Sequence, residues 1–350
     1  MLNKLTLNGF TVFTDTELRF ASGLNVVIGE NGCGKSHLLK AAYSVIANSA
    51  EEGKKPTAGE PTKVALQKSI ADKLVHVMRP ESLGRLASRI QGRKRCELSF
   101  QFNDANLNCA LSFATSSKSE VQVDKLPKKW HEKAPVFLPT RELLTIFPNF
   151  ISVYENHYLE FEETYRDTCL LLGALALRGP REKQAAELLK PLEEAMGGKV
   201  VLDKNGRFYL QLPGKGNMEM PLVAEGLRKL AMIARLISTG SLLDKGYLFW
   251  DEPETNLNPK LIKLVARVIY HLCQQGIQVF IATHSLFLLR ELEVLSQSSE
   301  FKKIKHRFFA LRPEPNGVEV EQGDRVDDLN TLVLLDEELS QSDRFMEVNP

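Results

Sequence analysis

Apolar and polar residues alternate through "KLTLNGF" and "TELRF" near the start of the chain, the pattern of half-buried strands. "GLNVVIG" is instead a continuous apolar run between glycines, which predicts a strand buried on both faces. "KSHLLKAAYSVIANS" has helical spacing, and the polar, Gly- and Pro-containing stretch Ala50 to Lys63 predicts a loop. The pattern is helical again from Leu66 to Arg95, "CELSFQF" and "NCALSFA" predict an antiparallel pair, and "APVFLPTREL" holds a short strand stopping at Pro139. Ile151 to Met196, rich in Leu, Glu and Ala, predicts helices, and "KVVLDKNGRFYLQLP" a hairpin turning at Asn205-Gly206. Beyond Pro221, "AEGLRKLAMIARLI", "GYLFW", "PKLIKLVARVIYHLCQQG" and "IQVFIATH" alternate helix with strand, which implies a parallel sheet with right-handed crossovers.

This order predicts an α/β protein, a single domain over 1–350, with parallel elements at both ends of the chain and other structure between them. Its expected parts are a basic loop and helical insert over 50–95, an antiparallel β region over 96–140, and a helical insertion with its hairpin over 141–220. The remaining helix–strand core covers 221–295 and a C-terminal extension 296–350. Composition changes this picture little: 43% hydrophobic and 25% charged residues are ordinary for a globular chain. A formal net charge of +1 gives no overall pull toward nucleic acid or anionic membrane, so such a partner must be met by a local patch. The five cysteines are scattered without C-x-x-C pairs, which predicts a reducing compartment and no structural zinc. The longest apolar run, "CLLLGALAL", is far short of the ~20 residues of a membrane span. A cytoplasmic location without membrane contact is the expectation.

Chemistry first becomes visible in "VVIGENGCGKS", which matches G-x-x-x-x-G-K-[ST] between a predicted strand and a predicted helix. In that setting Gly29, Glu30, Asn31, Gly32, Cys33, Gly34, Lys35, Ser36 and His37 form a phosphate-binding loop. The glycines let backbone N–H groups turn inward, Lys35 reaches the β/γ oxygens, and Ser36 ligates Mg²⁺. Cys33 near a helix N-terminus admits a redox role, against which stands a simple small filler in the loop.

The apolar run "YLFW" passes directly into Asp251 and Glu252. Burying acids is costly unless their charge is compensated, and a Mg²⁺–nucleotide supplies that compensation. Asp251 fits the second metal ligand; Glu252, pointing the other way on an extended chain, fits the group that polarises the attacking water. His284 ends the next apolar strand, "VFIATHS", within reach of the γ-phosphate and the same water.

"GENGCGKS", "LFWDEPETNLNP" and "IATHS", in this order around an inserted helical region, resemble the ABC-type ATPases of the SMC/RecF/OLD group, among them stand-alone ATPases of mobile-element defence systems. The resemblance runs from Met1 to about Arg290. It implies a P-loop NTPase fold of the ABC ATPase head type, with a mixed or parallel core sheet, an antiparallel β subdomain and a helical insertion. It makes Lys35, Glu252 and His284 catalytic, Ser36 and Asp251 metal ligands, and ATP with Mg²⁺ the ligands. It also implies that two subunits sandwich ATP, a signature motif of one covering the γ-phosphate of the other. "PLVAEGLRKLAMIARL" resembles that signature, with Ala224, Glu225 and Gly226 at its core, Ala224 replacing the usual serine, and Arg228 or Lys229 as added charge. "TNLNP" corresponds to the D-loop, with Asn258 facing the partner. "FLPTRELL" lacks the Q-loop glutamine, which leaves Arg141 or Glu142 for nucleotide sensing.

The basic residues Lys68, Lys73, Arg79, Arg85, Arg89, Arg93, Lys94 and Arg95 form a possible nucleic-acid patch without interleaved aromatics for base stacking. The sixty residues after "IATHS" are too short for the TOPRIM nuclease domain of OLD proteins, and their acids Asp324, Asp327 and Asp328 are expected in solvent. No heptad stretch for SMC-type arms is present. The expected function is therefore an ATP-hydrolysing homodimer or higher oligomer that regulates a separately encoded DNA-directed or toxic effector, such as a nuclease, in anti-phage defence or repair. The alternatives are a transporter's nucleotide-binding subunit and an ATP-locked scaffold with little turnover.

Overall fold

The computed structural model of the protein describes residues 1–88, 95–157, 159–330 and 333–348. Strand β1 (Leu2–Phe10) and strand β2 (Phe13–Arg19) form the expected hairpin, with buried and outward residues alternating along both. Strand β3 (Leu24–Gly29) is buried throughout and leads through the phosphate loop into helix α1 (Lys35–Glu52). Helix α2 (Lys63–Met78) follows, capped by the Thr62 hydroxyl. Arg79, in the left-handed region at φ 56°, ends this helix, so the helical run expected to Arg95 stops well short of it. Strands β4 (Arg95–Phe102), β5 (Cys109–Ala114) and β6 (Gln122–Lys125) are antiparallel and join the first hairpin in the order β2-β1-β4-β5-β6.

The chain then forms strand β7 (Pro135–Leu138) and helices α3 (Phe147–Asn156), α4 (Glu163–Leu172) and α5 (Pro180–Met196). Strands β8 (Lys199–Leu202), β9 (Phe208–Leu212) and β10 (Gly216–Glu219) make a small antiparallel sheet; Gly206, at φ 76°, lies in the turn before β9. Helix α6 (Glu225–Ser238), strand β11 (Tyr247–Asp251), helix α7 (Pro259–Gln274), strand β12 (Gln278–Thr283) and helix α8 (Leu286–Gln297) supply the alternating core. Strands β13 (His306–Glu314) and β14 (Gly317–Gly323) and helix α9 (Val333–Val348) complete the described elements.

Strand order in the core sheet is β14-β13-β3-β12-β11-β7, with every pairing parallel except β13 with β14. Three strands lie elsewhere than the sequence pattern suggested. Pro135–Leu138, grouped above with the antiparallel region, pairs in parallel with β11, Phe137 opposite Phe249. Residues 306–323, counted above within an extension, belong to this sheet: β13 runs beside β3, with Leu311 opposite Gly29. Apolar layers cover both faces. Val26, Ile28, Leu248, Trp250 and Ile281 pack toward α6 and α7, while Val27, Phe137, Phe249 and Phe280 pack toward α1 and the antiparallel sheet. That two-sided burial is why these strands read as unbroken apolar runs. It leaves their polar C-terminal ends as the place where chemistry can sit.

Candidate functional site

Backbone geometry shapes the loop between β3 and α1. Gly32 and Gly34 sit at φ 86° and 89°, where L side chains are strained. A Cβ on Gly34 would stand 2.6 Å from the Val12 side chain. The Lys35 ammonium is buried and donates to the carbonyls of Gly29 and Glu30, at 2.8 Å each, so it curls back over its own loop. Cys33 is buried, its thiol donating to Glu30 O at 2.9 Å, and burial pushes its pKa up. An inert filler matches that setting, and the redox role does not. Asn31, Gly32, Gly34, Lys35, Ser36, His37 and Glu252 line a cleft of about 190 Å³.

The end of β11 meets this cleft. Asp251 is buried; burial raises its pKa, opposed by a hydrogen bond from Ser36, and its Oδ1 has no partner. Two hard oxygen donors with an unsatisfied buried lone pair fit a hard divalent cation such as Mg²⁺. Glu252 turns the chain sharply at φ 47°. Its Oε1 lies 3.1 Å from His284 Nδ1, and its Oε2 accepts from the Thr255 hydroxyl at 3.2 Å. Parallel pairing of β11 with β12 brings Asp251 opposite Ala282, which is why His284 reaches Glu252 across a gap of thirty-two residues.

Ala224, Glu225, Gly226 and Asn258 do not line this cleft. Ala224 precedes α6 without a side-chain cap, Glu225 is exposed, and Asn258 caps α7 by accepting from Leu261 N at 3.1 Å. Gly226 packs against the loop before α7: a Cβ there would lie 2.5 Å from Asn256 O.

Arg228 and Lys229, expected as added charge for an anion at the start of α6, are both engaged within the chain. Arg228 donates to Glu142 Oε1 at 2.8 Å and to Val223 O at 2.8 Å. Lys229 is almost fully buried and donates to Glu252 O at 2.7 Å and Thr255 O at 3.3 Å. Burial lowers its pKa to about 8, against the pull of Glu254, Glu252 and Asp251. Of the two Q-loop candidates, Arg141 is exposed and Glu142 is buried, accepting from Leu144 N, Thr145 and Arg228.

Several residues of the basic stretch are likewise engaged within the chain. Lys73 is buried among Glu51, Glu163 and Asp167 at 2.7, 3.0 and 3.0 Å. Arg79 donates to Leu159 O, Arg85 pairs with Glu81, and Arg95 donates to Ser112 and Gln122. Lys68 is exposed, and Arg89, Arg93 and Lys94 lie outside the described residues. Sequence inspection passed over Glu254, Thr255 and Thr283; a third acid so soon after a buried strand was the available signal for the first.

Known proteins match this frame. Residues 124–290 match the family described as "AAA domain, putative AbiEii toxin, Type IV TA system", and residues 4–132 match a second AAA domain family. Over 40 residues the chain is 55% identical to the DNA replication and repair protein RecF of Magnetococcus marinus, a stretch covering 11% of this chain and 10% of that protein. Among solved structures, the SMC head bound to the C-winged helix domain of ScpA aligns with TM-score 0.58 and 13% identity, over 92% of this chain and 97% of that one. The SMC head domain with an extended coiled coil, bound to the C-terminal domain of ScpA derived from Pyrococcus furiosus, gives 0.52 and 11%, over 98% and 99%. These alignments and the mixed sheet show the P-loop NTPase fold of the ABC ATPase head type. Within that fold the chain is similar to SMC head domains over most of its length and to RecF over a short stretch.

Proposed function

We propose that the protein binds ATP with Mg²⁺ at Gly29–Ser36, closes as a homodimer around it, and hydrolyses it. The observation that carries this is the meeting of three groups at one cleft: the curled Lys35, the half-satisfied Asp251 beside Ser36, and Glu252 held by His284. Loop N–H groups and Lys35 receive the phosphates, and Ser36 and Asp251 hold the cation. Mg²⁺, when bound, neutralises charge on the phosphate oxygens. Glu252 accepts a proton from the attacking water, and His284 keeps Glu252 oriented and faces the γ-phosphate. Ala224, Glu225, Gly226 and Asn258, outside the cleft of their own subunit, are assigned to the partner's nucleotide.

The cycle is proposed to control a separately encoded effector, DNA-directed or toxic, in a cytoplasmic defence or repair system. The toxin–antitoxin wording of one family match and the short RecF likeness support that direction. Among the described residues no helix is long and apolar enough to cross a membrane. Engagement of Lys73, Arg79, Arg85 and Arg95 within the chain favours nucleic-acid contact by the effector over a patch at residues 68–95. A slower variant of this function, an ATP-locked scaffold, is favoured by the missing hydroxyl at Ala224.

The test is the mass of Glu252→Gln with and without ATP and Mg²⁺, beside wild-type turnover. The variant is expected to become dimeric on nucleotide, with turnover at least about a hundredfold below wild type. A variant that stays monomeric removes the sandwich. Wild-type turnover no faster than the variant's leaves the scaffold.

A further inference from the structure

Glu254 has no part in the proposed mechanism, yet its setting is costly. Its carboxyl is buried at the turn between β11 and α7, and burial raises its pKa, opposed mainly by the Thr283 hydroxyl. Oε2 has no hydrogen-bond partner. A buried carboxylate with an orphan oxygen weakens the fold relative to an apolar residue of similar shape. Its other oxygen spans two segments. Oε1 accepts from Thr283 Oγ1 at 2.6 Å and from His284 N at 3.3 Å, and it lies 4.0 Å from His284 Nδ1. Thr283 Oγ1 in turn accepts from Ser285 N at 2.9 Å, which leaves its single proton for Glu254.

This arrangement fixes the backbone on both sides of His284 to the loop that carries Glu252. His284 is half-exposed and α8 begins two residues later, so the ring has little packing of its own to orient it. The charged groups facing it are Glu252 and Glu254 from the acidic loop, with the Lys229 ammonium behind that loop from α6. Moving the histidine by about 1 Å would break its 3.1 Å contact with Glu252, and displacements of that size can cost a hydrolytic site about a hundredfold.

We infer that Glu254 is a positioning residue: its Oε1 clamps the end of β12 to the acidic loop and so holds His284 Nδ1 on Glu252. The inference rests on the hydrolytic role proposed above, and its test separates the two. In nucleotide-free protein, ring nitrogen NMR of His284 reads the Nδ1 contact directly. Glu254→Ala and Thr283→Val, which cut the same bond from opposite sides, are each expected to shift the Nδ1 signal toward that of Glu252→Ala. Glu254→Gln keeps an acceptor oxygen for Thr283 and His284 N and is expected to stay near wild type.

With ATP and Mg²⁺, the two clamp-breaking variants are expected to lose about tenfold to a hundredfold in kcat with KM unchanged within about twofold. Glu254→Gln should recover most of that loss. Ring signals and turnover unchanged in both Glu254→Ala and Thr283→Val would overturn the clamp. If Glu254→Ala does not fold, Thr283→Val decides. An absence of wild-type turnover would remove the hydrolytic role while the ring signals still decide the clamp.

Discussion

Lys229 joins α6 to the loop after β11 through a single buried ammonium, and that position has a pH signature. Its folded pKa of about 8 lies below the ordinary 10.5, so between these values the unfolded chain holds a proton that the folded chain has released. Unfolding then takes up a proton, and stability rises with pH across that window. The stability of the wild type relative to Lys229→Met is expected to rise with pH across that window, the paired comparison cancelling the other titrating groups, and denaturant titrations of both proteins check it. Gly34 offers a second residue-level check. At φ 89° and with Val12 2.6 Å from any added Cβ, Gly34→Ala is expected to abolish nucleotide binding and to destabilise the fold by about 1–3 kcal/mol, read by calorimetry and by denaturant. Each oxygen of Glu252 has one partner, Oε1 with His284 and Oε2 with the Thr255 hydroxyl, and each keeps a second lone pair for a further donor.

Between elements, the start of α6 lies tightly against the loop before α7. Gly226 meets Asn256 O with no room for a methyl group, and Lys229 bonds the same loop one turn later. Gly226→Ala is therefore expected to cost about 1–3 kcal/mol in denaturant stability and to weaken ATP-dependent dimerisation, seen by mass measurement. This junction also shows which information a sequence holds. Apolar runs and glycine spacing gave β3, the phosphate loop, β11 and β12 because two-sided burial and phosphate geometry dictate residue type directly. Arg228 and Lys229 were expected as added charge for an anion because helical position alone does not show that α6 turns them toward Glu142 and toward the loop carrying Glu252. Glu254 was passed over for a related reason: its partner Thr283 lies on a different strand, and only the β11–β12 pairing brings them together. In the basic stretch, local charge pattern hid the carboxylates of Glu163 and Asp167, which reach Lys73 from α4.

Across the whole molecule, the strand that carries the phosphate loop lies between β12 and β13. Gly29 faces Leu311 closely enough that a Cβ on it would lie 2.6 Å from Leu311 O, so the C-terminal strand forms part of the loop's wall. A chain ending at Ser298 would leave β3 an unpaired edge with apolar residues on both faces, a template for aggregation. Its expected outcome is insoluble protein without nucleotide binding, checked by partition on centrifugation and by titration with a fluorescent ATP analogue. Sequence pattern underrated 306–323 because its outer strand alternates charged and apolar residues, like a solvated tail.

The place of β13 also sets an order of events during synthesis. About 280 residues separate Gly29 from His306. At ribosomal speeds of about 5–20 residues per second, the growing chain carries an unfinished phosphate loop for roughly 14 to 55 seconds. Nascent chains in that interval have no completed wall for ATP. Nucleotide binding at Gly29, Gly34 and Lys35 is therefore expected only once residues 306–314 have been made and laid beside β3.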